Sequence, residues 1–400
     1  MALATRKEAI EIIGKQVRRM ETETAPLEMA AGRTCAAPVI AQLTHPPQDM
    51  SAMDGYAVKF AESLLGSSFK VIGEAAAGAP FFGSINPSEA VRVFTGSVVP
   101  DGADHIVIQE DVSRKGDTIT VTDAQPARKH IRRAGIDFTA GDTLITPGTR
   151  LTPFHQAATA SANHHQIEVY KRPVVAILAS GDELKQPGTA LQPGQIISST
   201  PYALASLISA WGGEPRFLGI APDSEAGIIA HLEASSEANI IVPLGGASVG
   251  DHDHMRAAFT AFGTDILVQK IAIRPGKPTW FGACGTQLVL GLPGNPASAL
   301  VCAHLFLEPI IAQMTGRLPN ADIEQIPTAA ALNSNGPRET FLRAKVITNA
   351  DGERVIKALP NQDSSLITPF LQATHLLVRP AGSPAAEPGS FHPCLPITAG

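Results

Sequence analysis

Residues 291–296, Gly-Leu-Pro-Gly-Asn-Pro, combine residue types that could bind an anion. They follow the apolar run 288–290 and precede the apolar run 297–301, a pattern that predicts a strand, a tight glycine turn and a helix. Pro296 suits the first position of that helix because no backbone N–H donor is needed there. A turn of this kind directs backbone N–H groups and the positive end of a helix toward a bound anion.

Two further loops of polar or small residues also follow predicted strands. Residues 180–183, Ser-Gly-Asp-Glu, offer carboxylates for Mg²⁺, which prefers one or two carboxylates together with phosphate oxygens; the alternative is a solvated turn. Residues 245–251 are rich in glycine and predict a backbone nest around an oxyanion. Because ligands of open parallel sheets bind beyond the carboxyl ends of the strands, we expect these loops to share one site.

Residues 274–278, Arg-Pro-Gly-Lys-Pro, place two cations on a turn that prolines restrict. Rigid cations favour a polyanionic ligand because less conformational entropy is lost on binding. The alternative is an exposed charged turn. Together with the glycine loops, these cations indicate a ligand that carries phosphate.

Two features point to other classes of protein. Residues 246–250 match the Gly-x-Ser-x-Gly nucleophile elbow, which would make Ser248 the nucleophile of a serine hydrolase. His304, His375 and His392 are the downstream candidates for its base, but the chain has no HGGG-type partner loop. Residues 251–254, Asp-His-Asp-His, suggest a transition-metal site; on a helix, however, residues one or two apart do not share a face, which argues against a metal cluster there.

The hydrophobic periodicity predicts the elements that must position these loops. Helices are predicted at residues 5–20, 151–163, 201–210, 224–235, 251–262 and 296–314. Strands are predicted between them at residues 174–178, 216–220, 240–244 and 288–290, and shorter β-type runs at 69–72, 90–94, 105–108, 118–121, 341–346, 355–359 and 374–378. The alternation predicts a doubly wound, mostly parallel α/β sheet, with β-rich regions before and after it.

Composition narrows the classes of function. A net charge of −6 and a pI near 6.1 argue against general nucleic-acid binding. The four cysteines form no C-x-x-C and are predicted to be small buried hydrophobes of a reducing compartment: Cys35, Cys284, Cys302 and Cys394. Residues 1–20 lack the apolar core of a signal peptide, and no uninterrupted apolar run reaches the roughly 18–20 residues of a membrane span. We therefore expect a cytoplasmic protein without membrane contact.

In this order, the segments resemble the molybdopterin molybdenumtransferase family, of the MoeA and gephyrin E-domain type. The most specific motifs are residues 51–58, 92–96, 180–184, 245–250, 274–278 and 291–296. The resemblance implies an elongated multidomain α/β subunit. Its domains would be a linear domain (22–40 plus 142–168), an inserted β-rich domain (41–141), a central α/β domain like the molybdopterin adenylyltransferase fold (1–21 plus 169–318) and a small C-terminal β-barrel-like domain (319–400).

The resemblance also implies a reaction. Adenylated molybdopterin and molybdate would be the substrates, and Mg²⁺ or another divalent cation the cofactor. The pyrophosphate bond would be cleaved, AMP released, and molybdenum left on the dithiolene sulfurs. The chain would form a homodimer in which the inserted domain faces the partner's central domain and shares its site, and the molybdopterin adenylyltransferase is a further candidate partner.

Site residues carry over where this sequence matches the family's motifs. The implied catalytic residues are Asp54, Thr95, Asp137, Glu183, Asp223, Asp253, Arg274 and Lys277. The implied substrate-binding residues are Gly181, Ser199, Gly245, Gly246, Ser248, Gly250, Pro293, Gly294 and Asn295. Molybdate would contact Arg274, Lys277, Arg338 and Ser365, and the divalent ion Glu183 and Asp253. Cleavage of a phosphoanhydride mainly requires positioned charge, so no serine nucleophile is needed.

The chain departs from the family pattern near the expected site. The family's acid and amide after Gly-Gln-Ile are replaced by Ser198-Ser199-Thr200, and its Glu-Ala-Asp-Tyr becomes residues 251–254, which keep the second acid. The glutamate of the C-terminal Arg-x-Glu-Phe pattern is Thr340. Two hypotheses therefore stand beside the serine hydrolase: a molybdenum-inserting transferase, and a divergent paralogue that binds the cofactor without turnover.

Overall fold

The computed structural model describes residues 3–245, 254–317 and 323–397. The chain opens with helix Arg6–Gln16, whose first turn is closed by a capping box between Thr5 and Glu8. The helix ends earlier than predicted because Val17 already has an extended backbone. Ala9 and Ile13 bury the inner face of this helix in the core of the central sheet.

The central sheet has six strands. Their spatial order is Glu214–Ala221, Val174–Ser180, Ile240–Leu244, Gln287–Gly291, Trp280–Cys284 and Asp265–Val268. The first four are parallel, as predicted, and the last two are antiparallel to their neighbours. The sequence did not predict these two strands, which extend the sheet by an antiparallel edge.

Successive side chains of the central strands face opposite cores. Val175 and Ile177 join a core that includes helices Arg6–Gln16 and Thr200–Ala210. Ala176 and Leu178 join a second core. That second core includes helices Glu225–Leu232, capped by Ser224, and His254–Ala261. Helices on both faces confirm the predicted doubly wound fold.

The long apolar helix predicted at 296–314 is interrupted. It consists of the α-helix Pro296–Cys302, the π-helix Ala303–Leu307 and the α-helix Glu308–Met314. Pro309 has no N–H to donate one turn back, so the chain widens locally before it. Pro296–Met314 is long and apolar enough to cross a membrane, with a mean hydropathy of 1.5, but 78% of its window is buried, as in a core helix.

A second six-stranded sheet lies between residues 55 and 121. Its order is His105–Ile108, Gly55–Val58, Glu89–Val93, Ser68–Ala75, Thr118–Val121 and Val112–Lys115. All neighbours are antiparallel except the pair Ser68–Ala75 and Glu89–Val93. This sheet confirms the β-rich character predicted for the first half of the chain.

Short pairings connect the segments that flank this sheet. Strand Thr22–Pro26 pairs with Gln166–Tyr170, and Val39–Ile40 pairs with Thr143–Ile145. Helix Pro153–Ser161 follows the second pairing. A further pair, Met50–Ser51 with Ile131–Arg132, joins the start and the end of the intervening segment. Residues 22–40 and 142–168 therefore lie side by side although about a hundred residues separate them.

The C-terminal sheet begins with a strand from the central segment. Its order is Ile273–Arg274, Glu339–Thr348, His375–Arg379, Phe391–Pro396 and Glu324–Pro327, and Arg354–Ala358 also pairs with Glu339–Thr348. A bridge between Thr328 and Ile356 joins the far strands, so the sheet curves back on itself. Cys394 is buried in its core, as Cys35 and Cys302 are elsewhere, whereas Cys284 is only half-buried.

Candidate functional site

Three parallel strands end at one edge of the central sheet. In register, Ala179 lies opposite Leu244, and Leu244 forms a parallel bridge with Leu292. The loops that start at residues 181, 245 and 292 therefore leave the sheet side by side. Parallel strands place the loops at their carboxyl ends on a common edge, which is the geometry of a ligand crevice.

Gly245 is where two of these loops touch. A Cβ built on Gly245 would lie 2.9 Å from the Ser180 carbonyl oxygen, and the backbone φ of Gly245 is +105°. A Cβ on Gly294 would lie 3.4 Å from the Gly245 Cα. A side chain at 245 would therefore meet both steric and backbone strain, so the close approach requires glycine. Gly246, Ser248, Gly250 and Asp253 lie outside the described residues.

Acidic side chains gather beside this contact. The Glu183 carboxylate lies over Gly181, since a Cβ there would come within 2.6 Å of Glu183 Oε2. The Asp182 carboxylate accepts the Asp223 backbone N–H at 3.2 Å. Ser180 Oγ donates to Asp223 Oδ1 at 3.5 Å, so Asp223 belongs to the same edge. No hydrogen bond or ion pair engages the exposed Glu183 carboxylate within the described part of the chain.

Ser199 is brought near the Glu183 loop by a small strand pair. Strands Leu184–Lys185 and Ile196–Ile197 are parallel, and the Ser198 N–H donates to the Lys185 carbonyl oxygen at 2.9 Å. Ser199 then occupies the N-cap position of helix Thr200–Ala210, but its side chain makes no capping bond. The segment that departs from the family pattern thus adjoins the predicted site.

Residues 291–296, called the glycine turn from here on, form the third loop of the edge. Trp280 lies opposite Gly291 in the sheet, and a Cβ on Gly291 would come within 1.9 Å of the indole Nε1. Pro296 starts the helix as predicted, and Asn295 is its N-cap without a side-chain capping bond. The Asn295 side chain is instead engaged by another part of the molecule.

That partner is residues 361–366, called the serine loop, from the C-terminal region. Asn295 Nδ2 donates to Ser364 Oγ at 3.1 Å, and the Ala297 N–H donates to the Ser364 carbonyl oxygen at 3.0 Å. The residue predicted from the sequence is Ser365, whose hydroxyl and backbone N–H donate to the Asp363 carboxylate at 2.6 and 2.8 Å. These bonds from Ser365 are the main cause of the lowered pKa of Asp363. Among the described residues, the hydrogen bonds to Asn295 and Ala297 therefore come from Ser364 and not from Ser365.

Three predicted cations gather at the junction with the C-terminal sheet. Arg274 pairs with Thr340 between parallel strands, and Arg338 Nη1 donates to the Ile273 carbonyl oxygen at 3.3 Å. Arg274 and Lys277 are exposed and form no ion pair with any described residue. Residue 277 lies three positions before Trp280, which pairs with Gly291 in the sheet. The loop that carries Lys277 therefore reaches the sheet at the edge where the glycine turn begins. Arg274, Lys277 and Arg338 are called the cation group below.

Two of the residues predicted within the segment 41–141, Asp54 and Thr95, form a cluster of their own. Asp54 Oδ1 accepts the Thr95 N–H at 2.8 Å and the Thr95 hydroxyl at 2.9 Å. The Thr95 backbone and side-chain bonds, in that order, lower the pKa of Asp54, with a smaller contribution from Arg92. The Asp137 side chain is exposed. Within the described residues, no hydrogen bond or ion pair connects these three side chains to the central loops.

The described residues form neither a cluster of three metal-ligating side chains nor a hydrolase triad. No group of three or more His, Cys, Asp or Glu side chains converges among residues 3–245, 254–317 and 323–397, and the predicted ligand Asp253 lies outside these ranges. For the hydrolase, the candidate bases have local partners. His304 stacks edge-on against Trp211, His375 contacts Thr374, and His392 contacts Ser390. Nothing in the described residues assembles a triad around the glycine loops.

Fold and site together define a class: multidomain α/β proteins with a ligand crevice at the carboxyl edge of a doubly wound sheet. The chain belongs to the MoeA family, as the resemblance implied. The description "MoeA N-terminal region (domain I and II)" matches residues 4–163. "Probable molybdopterin binding domain" matches 176–313, and "MoeA C-terminal region (domain IV)" matches 325–391.

Relatives and solved structures agree with this assignment. A molybdopterin molybdenumtransferase of Haemophilus influenzae is 34% identical over 362 residues, covering 90% of this chain and 89% of the relative. One of Bacillus subtilis is 30% identical over 396 residues, covering 96% and 91%. A crystal structure of a molybdopterin biosynthesis MoeA protein from Pyrococcus horikoshii is 27% identical with a TM-score of 0.80, covering 99% of this chain and 100% of that one.

Proposed function

We propose that this protein inserts molybdenum from molybdate into adenylated molybdopterin, with cleavage of the pyrophosphate bond and release of AMP. The observation that carries the proposal is the convergence of the Glu183 loop, Gly245 and the glycine turn on one edge of the sheet. The cation group enters at the same edge. Such an arrangement suits a ligand with several phosphate charges.

Each part has a role in this reaction. Backbone groups around Gly181, Gly245 and Gly294 hold the pterin phosphate and the pyrophosphate, because glycines allow close approach of the main chain. Arg274, Lys277 and Arg338 neutralise molybdate, an oxyanion that would otherwise be repelled by the phosphates. A water molecule attacks one phosphorus as the bridging phosphorus–oxygen bond breaks; AMP leaves with its own phosphate, and the other phosphate stays on molybdopterin. Each molybdenum–sulfur bond replaces a molybdate oxygen, which leaves as water with protons from the thiols and the solvent.

Glu183 and Asp253 are the residues that would hold a divalent ion. The exposed Glu183 carboxylate, which no described hydrogen bond or ion pair engages, suits Mg²⁺ because this ion takes one or two protein carboxylates plus phosphate oxygens. When bound, the ion stabilises the charge that develops on the bridging oxygen. Asp223 supports the loop through its bonds to Asp182 and Ser180.

The site is shared between two copies of the chain in a homodimer. Asp54, Thr95 and Asp137 match family site positions, yet among the described residues no hydrogen bond or ion pair joins their side chains to the central loops of their own chain. A partner copy related by twofold symmetry would bring this cluster to the crevice. A cytoplasmic location and an interaction with the molybdopterin adenylyltransferase remain predictions.

The experiment is AMP release from adenylated molybdopterin in the presence of molybdate and Mg²⁺. Wild-type protein is expected to release AMP and to require the divalent ion, and Glu183→Gln is expected to lower the rate by on the order of 100-fold or more. Asp265→Asn is the matched control, because Asp265 pairs with Ala283 at the opposite edge of the sheet. No AMP from wild-type protein would contradict the proposal.

A second candidate is a binding protein without turnover. The observation that favours it is the Ser198-Ser199-Thr200 segment, where the helix N-cap carries no capping bond and lacks the family's acid and amide. Tight binding of adenylated molybdopterin without AMP release would support the binding protein over the enzyme.

A further inference from the structure

The serine loop is the only described part of the C-terminal region that hydrogen-bonds the glycine turn. Ser364 Oγ accepts a hydrogen bond from the Asn295 side-chain amide at 3.1 Å, and the Ser364 carbonyl oxygen accepts one from the Ala297 N–H at 3.0 Å. Both contacts lie at the start of helix Pro296–Cys302. The position of the glycine turn therefore depends on what holds the serine loop.

The Arg343 side chain hydrogen-bonds to the backbone of the serine loop. This side chain is fully buried, and Nη1 donates to the Leu366 carbonyl oxygen at 2.8 Å. Nη2 donates to the carbonyl oxygens of Asp363 at 2.9 Å and Asn361 at 3.4 Å. A planar guanidinium can reach several carbonyls at once, whereas a lysine ammonium is a single point. These bonds fix the backbone on both sides of Ser364.

The Gln362 side chain, which belongs to the serine loop, hydrogen-bonds in turn to the backbone of the Arg343 strand. Its Oε1 accepts the Arg343 N–H at 3.0 Å, and its Nε2 donates to the carbonyl oxygens of Arg343 at 2.9 Å and Leu359 at 2.8 Å. The guanidinium also lies over the Phe370 ring at 5.6 Å. The Asp363 carboxylate instead accepts from Ser365. The buried charge is therefore stabilised by the loop carbonyls and the ring, which ties the burial of Arg343 to the loop conformation.

The same strand also pairs with Arg274 and begins directly after Arg338, two members of the cation group. Arg343 lies on Glu339–Thr348, whose first two residues pair with Ile273 and Arg274. Thr340 and Arg343 are three positions apart, so one strand spans from the cations to the support of the glycine turn. The backbone between Thr340 and Ala344 is paired along one side with His375–Arg379, and on the other side the Leu359 N–H donates to the Arg343 carbonyl oxygen at 2.9 Å. A strand bonded in this way keeps such distances constant.

We propose that Arg343 is a positioning residue of the site, which sets Ser364 against Asn295 and Ala297 and thereby aligns the glycine turn with the cation group. This inference rests on the proposed function for its kinetic consequence. Reacting groups displaced by about 1 Å can lose on the order of 100-fold in rate, so a loosened serine loop has a measurable effect on catalysis.

The test compares Arg343→Lys with Arg379→Lys. Arg379 is also buried in the C-terminal sheet and donates to the carbonyl oxygens of Asn333 and Pro384, neither of which hydrogen-bonds a predicted site residue within the described part of the chain. Arg343→Lys is expected to speed hydrogen exchange at the Ala297 amide and to raise KM for adenylated molybdopterin by on the order of tenfold. Arg379→Lys is expected to lower Tm comparably without either effect.

Three outcomes would overturn the inference: unchanged Ala297 exchange in Arg343→Lys, unchanged KM, or equal effects in Arg379→Lys. If Arg343→Lys does not fold, Gln362→Leu replaces it with the same expectations, because this change removes three of the bonds to the loop and its neighbours. If wild-type protein releases no AMP, the proposed function fails. Two measurements then still decide whether Arg343 positions the turn: the rate of hydrogen exchange at the Ala297 amide, and the dissociation constant of molybdopterin in wild type and variant.

Discussion

At position 291 the chain has no room for a side chain, because the indole of Trp280 occupies the space where a Cβ would lie. This one contact fixes the start of the glycine turn against the antiparallel edge of the sheet. The choice of glycine is therefore explained by packing as well as by any bound phosphate. A functional motif and a structural requirement coincide in the same residue.

We predict that Gly291→Ala lowers the free energy of unfolding by about 1–3 kcal/mol, because the added methyl group overlaps Trp280. Thermal or urea unfolding measures the change. Gly336→Ala is the control, since a Cβ at Gly336 has no atom within 4 Å. Equal stability of the Gly291 variant and wild type would show that Trp280 moves aside at no cost.

His304 gives the molecule a predictable response to acid. Burial lowers its pKa to about 4. Below the ordinary value of 6.5 the unfolded chain takes up a proton that the folded protein excludes, so stability falls as the pH drops from 6.5 to about 4. We predict that His304→Gln removes up to about 3 kcal/mol of this pH dependence. Urea unfolding across that range measures it, with the exposed His165→Gln as control; parallel curves for wild type and His304→Gln would contradict the assignment.

At the scale of elements, the contact between the serine loop and the glycine turn depends on one of two adjacent serines. Ser364→Ala removes the bond to Asn295, whereas Ser365→Ala removes only a bond to Asp363. We predict that Ser364→Ala lowers kcat/KM for AMP release by about three- to tenfold, the value of one hydrogen bond, and that Ser365→Ala has a smaller effect. A larger effect of Ser365→Ala would favour the position selected from the sequence.

The elements differ in how far their sequences determine them. Strand Ile240–Leu244 matches its prediction because a short, wholly apolar run between turns leaves few alternatives. The strands Asp265–Val268 and Trp280–Cys284 were not predicted because runs of 4 and 5 residues are too short to separate a strand from a loop by pattern, and their antiparallel direction depends on their neighbours. The two-residue strand Ile273–Arg274 exists only through its partner, which lies more than sixty residues away.

The residues of the site also divide into those that local sequence predicts and those that depend on distant contacts. The meeting of the loops that start at residues 181, 245 and 292 could be predicted, because the carboxyl ends of parallel strands lie at one edge of a sheet. Ser364 and Arg343 could not, because adjacent serines look alike in sequence and a buried arginine resembles any charged residue on a strand. Their roles arise from contacts between regions distant in sequence, which no local pattern encodes.

At the scale of the whole molecule, the Asp54–Thr95 cluster and the Glu183 loop test whether the site is shared between subunits. We predict that Asp54→Asn and Glu183→Gln are each inactive as homodimers but recover about a quarter of wild-type AMP release when co-expressed. Random pairing makes half of the dimers mixed, and each mixed dimer has one intact site. Subunits mixed only after purification, without exchange, serve as the control; no recovery in the co-expressed sample would place both clusters in one chain's site.

The pairing of Ile273–Arg274 with Glu339–Thr340 has a consequence for biosynthesis of the chain itself. Ala4 already bonds to Lys270 and Ala272, and the Glu339 N–H reaches the Ala272 carbonyl oxygen, so three segments meet in one layer. Of these, the segment around residue 339 leaves the ribosome last. A nascent chain can complete its central sheet earlier, but Arg274 gains Thr340 as a neighbour only after the segment around residue 339 has emerged, so competence for oxyanion capture is expected to arise later in translation than the central sheet.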